Sequence, residues 1–331
     1  MAVLYVDEQG AEVRVTGRRI LVTRDGETLK DIRIRDLERV VLFGPVDFTT
    51  PAMHALIDAG VETTFLSAGG AYRGRLAPAE GKNVLLRRVQ FRRADDAAFR
   101  LEMARTILSA KLANCRYVIL RYARNHPSEK LDAAALALAD AGCRMTAQTD
   151  VQACMGVEGA GARLYFEALG SMVRREFAFT ERTRRPPRDP VNSLLSFGYA
   201  LLTSEIVGAL ASQGLDPDAG FVHSIGYGRP ALALDLLEEF RPVVADRVAL
   251  NLVNNAVLDA AHFEQGDDGG VRMTEEGRAK YLQTYHRNMS AEVASRDGQG
   301  RTSFRGALRA QAGRIRGAVV GEAAYDPYTP R

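Results

Sequence analysis

The chain is predicted to be an α+β protein: a small N-terminal β-sandwich or split barrel with one helix, then an all-α domain. Three observations predict it. Short β-branched runs separated by turn residues fill the first quarter of the sequence. After about residue 84 the apolar period changes from two to 3.6. Between them lies a polar stretch bearing Pro and Gly, Leu76-Ala-Pro-Ala-Glu-Gly-Lys, which reads as a linker over 77–83. The expected domains are therefore 1–76 and 84–331. A length of 331 residues suits two domains of roughly 150 residues or more, and 46% hydrophobic with 26% charged residues is globular composition.

The runs 3–6, 13–15, 20–22, 32–34 and 40–43 are the expected strands. Asp25-Gly26 lies between two of them, and this pair tolerates the positive φ of a two-residue hairpin turn. One helix interrupts, with Thr50 as its cap, Pro51 in its first turn and Gly60 as its stop. Runs 61–66 and 72–76 flank Gly69-Gly70, a second hairpin signal. Helical periods then cover 84–93, 97–123, 128–142, 148–172, 191–213, 231–238, 243–263 and 274–289, with no internal repeat.

Net charge is only +3, but its distribution is uneven. Residues 1–80 hold 10 basic and 12 acidic side chains, whereas 82–124 hold 11 basic against 3 acidic, and 301–316 hold five Arg and no acid. Arg supplies 39 of the 44 cations, and its planar fork suits phosphate, although a GC-rich genome gives the same bias. The three cysteines, Cys115, Cys143 and Cys154, form no C-x-x-C pair. That argues against a disulfide framework and against a Cys-based zinc knuckle, and suggests a reducing cytoplasm. No unbroken run of 18 apolar residues and no apolar signal core appear, so neither a membrane span nor secretion is expected.

Three segments could carry chemistry. In Gly156-Val-Glu-Gly-Ala-Gly, Glu158 lies near an expected helix start with glycines around it; it serves either the helix dipole or a site. In Gly220-Phe-Val-His-Ser-Ile-Gly-Tyr-Gly-Arg-Pro, His223 precedes a helix in a Gly-rich connection, where either a structural or a functional imidazole fits. In Ala231-Leu-Ala-Leu-Asp-Leu-Leu-Glu-Glu-Phe, Asp235 and Glu238 are three apart, so both project from one helix face, solvated or ligating. Together, two carboxylates and an imidazole make a mixed O/N donor set suited to Mn²⁺ or Mg²⁺. The chain lacks H-E-x-x-H, a P-loop, a dinucleotide fingerprint after a strand and G-x-S-x-G. Candidate DNA contacts are Arg182, Arg184, Arg185 and Arg188 in a Pro-stiffened stretch. Arg301, Arg305 and Arg309 would form one stripe if helical. Lys111 joins them on a long helix with Asn114, Arg116, Arg121 and Arg124, and Arg163 follows Glu158. Solvated surface is the alternative for each group. Tyr165 or Tyr199 would be the nucleophile of a tyrosine-type recombinase.

The ordered blocks Gly-Val-Glu-Gly at 156–159, Arg-Arg-Pro-Pro-Arg-Asp-Pro-Val-Asn at 184–192, Leu-Ser-Phe-Gly-Tyr-Ala-Leu-Leu at 195–202, Gly-Phe-Val-His at 220–223 and Leu-Ala-Leu-Asp-Leu-Leu-Glu-Glu-Phe-Arg-Pro at 232–242 carry a family likeness. In this order the chain resembles the CRISPR-associated integrase that acquires new spacers, the first and most widespread of the adaptation proteins. Gly-Lys-Asn-Val-Leu-Leu-Arg-Arg at 81–88 is similar to members from a type I system. The resemblance implies metal-ligand roles for Glu158, His223 and Glu238, with Asp235 as a supporting acid. It implies a β domain joined to a helical domain holding the metal, and homodimerisation through the β domains. It also implies a small ferredoxin-like second adaptation protein as partner, with a dimer of this chain on each side. The implied reaction is attack of a captured fragment's 3′-hydroxyl on a repeat phosphodiester in double-stranded or branched DNA, with nuclease activity when water attacks. Two alternatives remain at this point, an inactive DNA-binding scaffold and the tyrosine recombinase. Ala231 stands where the family commonly has Ser.

Overall fold

The computed structural model describes residues 2–76, 83–174, 177–294 and 300–330. It divides into two compact units, Met1–Lys82 and Asn83–Arg331. The expected linker 77–83 lies, apart from Asn83, outside the described residues. Asn83 caps the first helix of the second unit, accepting from the Leu86 amide at 3.3 Å.

The first unit contains two four-stranded sheets. Strands β1 (Ala2–Val6), β5 (Leu37–Phe43), β7 (Glu62–Leu66) and β8 (Tyr72–Leu76) form one in the order β1-β5-β7-β8. The other contains β2 (Glu12–Thr16), β3 (Arg19–Arg24), β4 (Glu27–Arg33) and β6 (Asp47–Phe48) in the order β4-β3-β2-β6. Asp25 and Gly26 take φ of 52° and 84°, the conformation the hairpin between β3 and β4 needs. β1, β5 and β7 pair in parallel. Parallel strands are covered on both faces, and accordingly β5 is buried along nearly its whole length. Helix α1 (Thr50–Asp58) has Thr49 at its N-cap position, one residue before the expected Thr50, and the Thr49 hydroxyl donates to the Val13 carbonyl rather than capping the helix. Its Ala52 and Leu56 join Leu4, Val13, Ile20, Val22 and Leu42 in one core shared by both sheets, and each such large aliphatic contributes about 1.5–3 kcal/mol.

The second unit is helical: α2 (Val84–Asp95), α3 (Ala97–Ala123), α4 (Glu129–Met145), α5 (Val151–Met172), α6 (Pro190–Ser212), α7 (Ala231–Phe240), α8 (Arg247–Asn254), α9 (Glu275–Ser290) and α10 (Phe304–Val320). Two short hairpins, β9 (Phe263–Gln265) with β10 (Val271–Met273) and β11 (Glu292–Ala294) with β12 (Arg301–Ser303), lie among the later helices. Asp96, Asp150, Asp189, Thr274 and Ser303 each cap a helix through a side-chain oxygen on a backbone amide, which satisfies donors that have no intrahelical partner.

Two expectations about the helices need correction. The period over 243–263 is not one helix. A π turn, Pro242–Asp246, leads into α8, which stops at Asn254; the amides of Val257 and Leu258 then fold back onto the Leu252 carbonyl. α5 begins at Val151, so Glu158 stands two turns inside it and not in its first turn, and Asp150 serves the helix start. Separately, α6 is long and apolar enough by length and composition to cross a membrane, but 67% of its apolar window is buried in the protein. A Cβ on Gly198 in α6 would sit 2.2 Å from the Tyr281 hydroxyl oxygen, so α9 packs directly on its backbone. α6 is largely buried within this unit.

Candidate active site

α3 runs beside α5 and α7, and their contact lines carry the acids. On α5, a Cβ at Gly161 would fall 2.5 Å from a Leu112 methyl. The missing side chain lets α3 approach closely and sets Lys111, next to Leu112, against Glu158. α7 is buried almost all round, with Asp235, Glu238 and Glu239 at 0%, 4% and 0% exposure. The solvated acidic face is thereby excluded, because buried carboxylates need partners.

Each α7 acid has a different task. Asp235 holds the preceding loop: Oδ2 accepts the amides of Phe221 (2.6 Å) and Val222 (3.0 Å), and Oδ1 accepts the His223 amide (2.8 Å) and lies 2.7 Å from His223 Nδ1. Gly220 is required there, since a Cβ would meet the Ala231 carbonyl carbon at 2.7 Å and Asp235 Oδ2 at 2.9 Å. A carboxylate only accepts, so the Nδ1 proton of His223 points at Asp235 and Nε2 turns toward Glu238, 3.8 Å from its Oε1. This is the carboxylate–imidazole arrangement that orients ligating histidines. Glu239 instead accepts from the Tyr325 hydroxyl (2.6 Å) and the Tyr328 amide (2.7 Å), anchoring the C-terminal segment.

Glu158 and Glu238 meet at one cation, the Lys111 ammonium. Nζ contacts Glu158 Oε1 and lies 2.6 Å from Glu238 Oε2. Glu238 Oε2 has no aligned hydrogen bond among the described residues despite that proximity, so the second contact is chiefly Coulombic. Arg241 pairs with Glu238 Oε1. Burial pushes the Lys111 ammonium down to about 8, helped by Arg241 and opposed by Glu158. Burial works against ionised Glu158, but Lys111 outweighs it and the carboxyl is held below its usual range. Among the described residues no three His, Cys, Asp or Glu side chains form a ready cage; the acids are drawn onto the chain's own cations. The donor set still fits a divalent ion. Two carboxylates already share a buried cationic centre, one oxygen lacks an aligned donor, and an oriented imidazole nitrogen stands beside them.

Arg241 leads to a second cluster. Its guanidinium and that of Arg182 each lie 5.3 Å from the Tyr199 ring centre. Tyr199 and Tyr165 both donate to Asp246, at 2.7 and 2.8 Å. Burial, reinforced by Asp246, pushes both phenols well up. Hydroxyls committed in this way are poor nucleophiles, which removes the physical basis of the tyrosine recombinase.

The arginines expected on DNA separate into two groups. Arg184, Arg185, Arg188, Arg163 and Arg309 are exposed. Arg163, five residues past Glu158, is turned about 140° from it around α5. Arg182 is bound to Asn192 Oδ1 (2.8 Å) and Ser196 Oγ (2.9 Å). Lys111 is buried between acids. Arg305 is buried too and makes a bidentate pair with Glu205 at 2.9 and 3.1 Å. Arg301 lies in β12, before α10 begins, and pairs with Glu292. The expected helical stripe of Arg301, Arg305 and Arg309 is therefore absent. The sequence reading also missed Arg241, Glu239 and Asp246. Arg241 and Asp246 sit three and eight residues past Glu238, and this spacing could have flagged them.

The family model for CRISPR associated protein Cas1 matches residues 4–287. A CRISPR-associated endonuclease Cas1 of Chlorobaculum tepidum is 37% identical over 299 residues, 88% of this chain and 87% of that protein. A Cas4 exonuclease/Cas1 endonuclease fusion of Geobacter sulfurreducens is 36% identical over 99% of this chain, which spans 60% of the fusion. The solved structure of a Cas1 protein from Thermotoga maritima superposes with a TM-score of 0.84 at 25% identity, covering 99% of this chain and all of that one. The match runs through both units and every block that holds the acid–imidazole cluster, and the chain belongs to the Cas1 family.

Proposed function

We propose that the chain is a divalent-metal-dependent DNA endonuclease and integrase that joins 3′-hydroxyl ends of captured DNA to a CRISPR repeat, in antiviral spacer acquisition. The observation that carries this is the meeting of Glu158 and Glu238 at one buried cationic centre, with His223 turned toward it by Asp235. Glu158, His223 and Glu238 would hold Mn²⁺ or Mg²⁺, both of which accept this O/N donor set. The ion would neutralise the scissile phosphate and stabilise the in-line displacement.

The chain's own groups do the rest. Asp235 keeps the imidazole proton on Nδ1, which frees Nε2 for ligation. Lys111 and Arg241 cancel the charges of Glu158 and Glu238. A divalent cation therefore adds uncompensated charge, and a DNA phosphate brought alongside balances it. Metal affinity should accordingly rise when DNA is bound. Transesterification exchanges one phosphodiester for another, so the chemical step needs no nucleotide triphosphate. Exposed Arg184, Arg185 and Arg188 would contact phosphates. The first unit would form the homodimer, and the small ferredoxin-like adaptation protein would bridge two dimers, in the cytoplasm; the family resemblance supports these partners.

Strand transfer on branched DNA, with Mn²⁺ or with EDTA, tests the reading. Activity should need the metal and disappear in Glu158→Ala. Activity surviving either treatment would overturn the metal reading, and DNA binding without activity under all conditions would favour the scaffold.

A further inference from the structure

A second site lies apart from the acids. The C-terminal turns of α3 and α5, with α8 and the end of α9, enclose an open pocket of about 300 Å³, a size at the lower end of small-ligand sites. Tyr122 in its wall and Lys111 at the acid cluster lie 11 residues apart on α3, about 16 Å along the axis and on the same face. Among the described residues the wall has three cations, Arg121, Arg174 and Arg247, and no Asp or Glu. None of the three makes an ion pair among the described residues. Arg121 reaches only the Tyr117 hydroxyl at 3.2 Å, and Arg247 only the Val243 carbonyl at 3.4 Å. Arg247 is half-buried, and burial and the nearby Arg121 charge push its guanidinium down. Beside these cations the rings of Tyr122 and His126 meet at 4.6 Å. Asn288, also in the wall, has its Oδ1 buried without a hydrogen-bond partner among the described residues, an acceptor left unmet at a cost that a ligand N–H would remove.

We propose that this pocket binds a nucleotide, its phosphate held by Arg121, Arg174 and Arg247, its base laid against Tyr122 and His126 and donating to Asn288. Three arginines gathered in one wall suit phosphate. Aromatic faces with amide edges are how unpaired bases are held. The ligand is either a free nucleotide or one unpaired nucleotide of a DNA strand. The site stands independently of the metal reading.

The test uses the full chain in EDTA, so that no metal ion at the acid cluster holds phosphate. Binding of dAMP is measured by calorimetry, with inorganic phosphate as comparison, and a fluorescent single-stranded dA oligomer is added as competitor. dAMP should bind more tightly than phosphate. Arg121→Gln with Arg174→Gln, both at exposed positions, should weaken it about tenfold or more for each arginine lost. Asn288→Ala, checked for an unchanged melting temperature, should weaken dAMP but not phosphate. Competition by the oligomer identifies the strand as the source; dAMP binding without competition identifies the free nucleotide. Binding of dAMP no tighter than phosphate, or unchanged in the double variant, overturns the proposal.

Discussion

Replacing Asp235 with Asn tests whether a buried carboxylate holds the His223 loop. The substitution keeps shape and one oxygen but exchanges the other for an amide donor. Asp235 accepts four N–H groups, two on each oxygen. With the oxygen toward His223, the new amide faces the Phe221 and Val222 amides, and two buried donors lose their acceptor. Each unmet donor costs roughly 1–3 kcal/mol, and some relaxation of the loop gives a loss of about 3 kcal/mol. For a unit of this size that lowers the melting temperature by about 6–12 °C. The neutral amide oxygen left on Nδ1–H is a weaker acceptor than the carboxylate and holds the imidazole less firmly, and such outer-shell changes weaken metal binding about 10–100-fold. Calorimetric melting measures the first effect and Mn²⁺ titration the second. A variant with native melting temperature and native Mn²⁺ affinity would refute the positioning role.

Other consequences follow from burial. Arg305→Met leaves the Glu205 carboxylate buried without its bidentate partner, which costs about 3–5 kcal/mol. It should appear as a lower melting temperature with unchanged DNA affinity below it; a selective loss of DNA affinity would return Arg305 to the DNA surface. Burial pushes the Asp246 carboxyl up despite its two tyrosine donors. Its folded value thus exceeds its unfolded one, and stability relative to Asp246→Asn should fall as pH rises from the ordinary aspartate range through the raised value. Denaturation across pH showing no slope, or the opposite slope, contradicts this. Cys143 is exposed while Cys115 and Cys154 are buried, and burial pushes both buried thiols up. A thiol reagent should label one cysteine in the native chain and three after unfolding; two or more fast native thiols would show that the core opens.

Local chemistry explains what the sequence revealed. The Asp25-Gly26 hairpin and the Gly-x-x-His loop before α7 depend on residues close in the chain, and their signals are legible there. The parallel pairing of β1, β5 and β7 brings together segments far apart in sequence, which alternation does not disclose. The role of Lys111 was hidden for the same reason. On a helix with Arg116, Arg121 and Arg124 it reads as surface charge, and only the packing of α3 on α5 and α7 turns it into the counterion of two acids. Arg305 became a core ion pair through Glu205, 100 residues away. The first-turn assignment of Glu158 failed because Asp150, eight residues earlier, was already a competent cap.

Anomalous diffraction from a crystal of the chain soaked in Mn²⁺ together with a short DNA duplex tests the account most directly. The account predicts one strong peak ligated by Glu158, His223 and Glu238, with the Lys111 ammonium displaced from between the carboxylates. A peak elsewhere, or Lys111 still joining both carboxylates at saturating Mn²⁺, would contradict it.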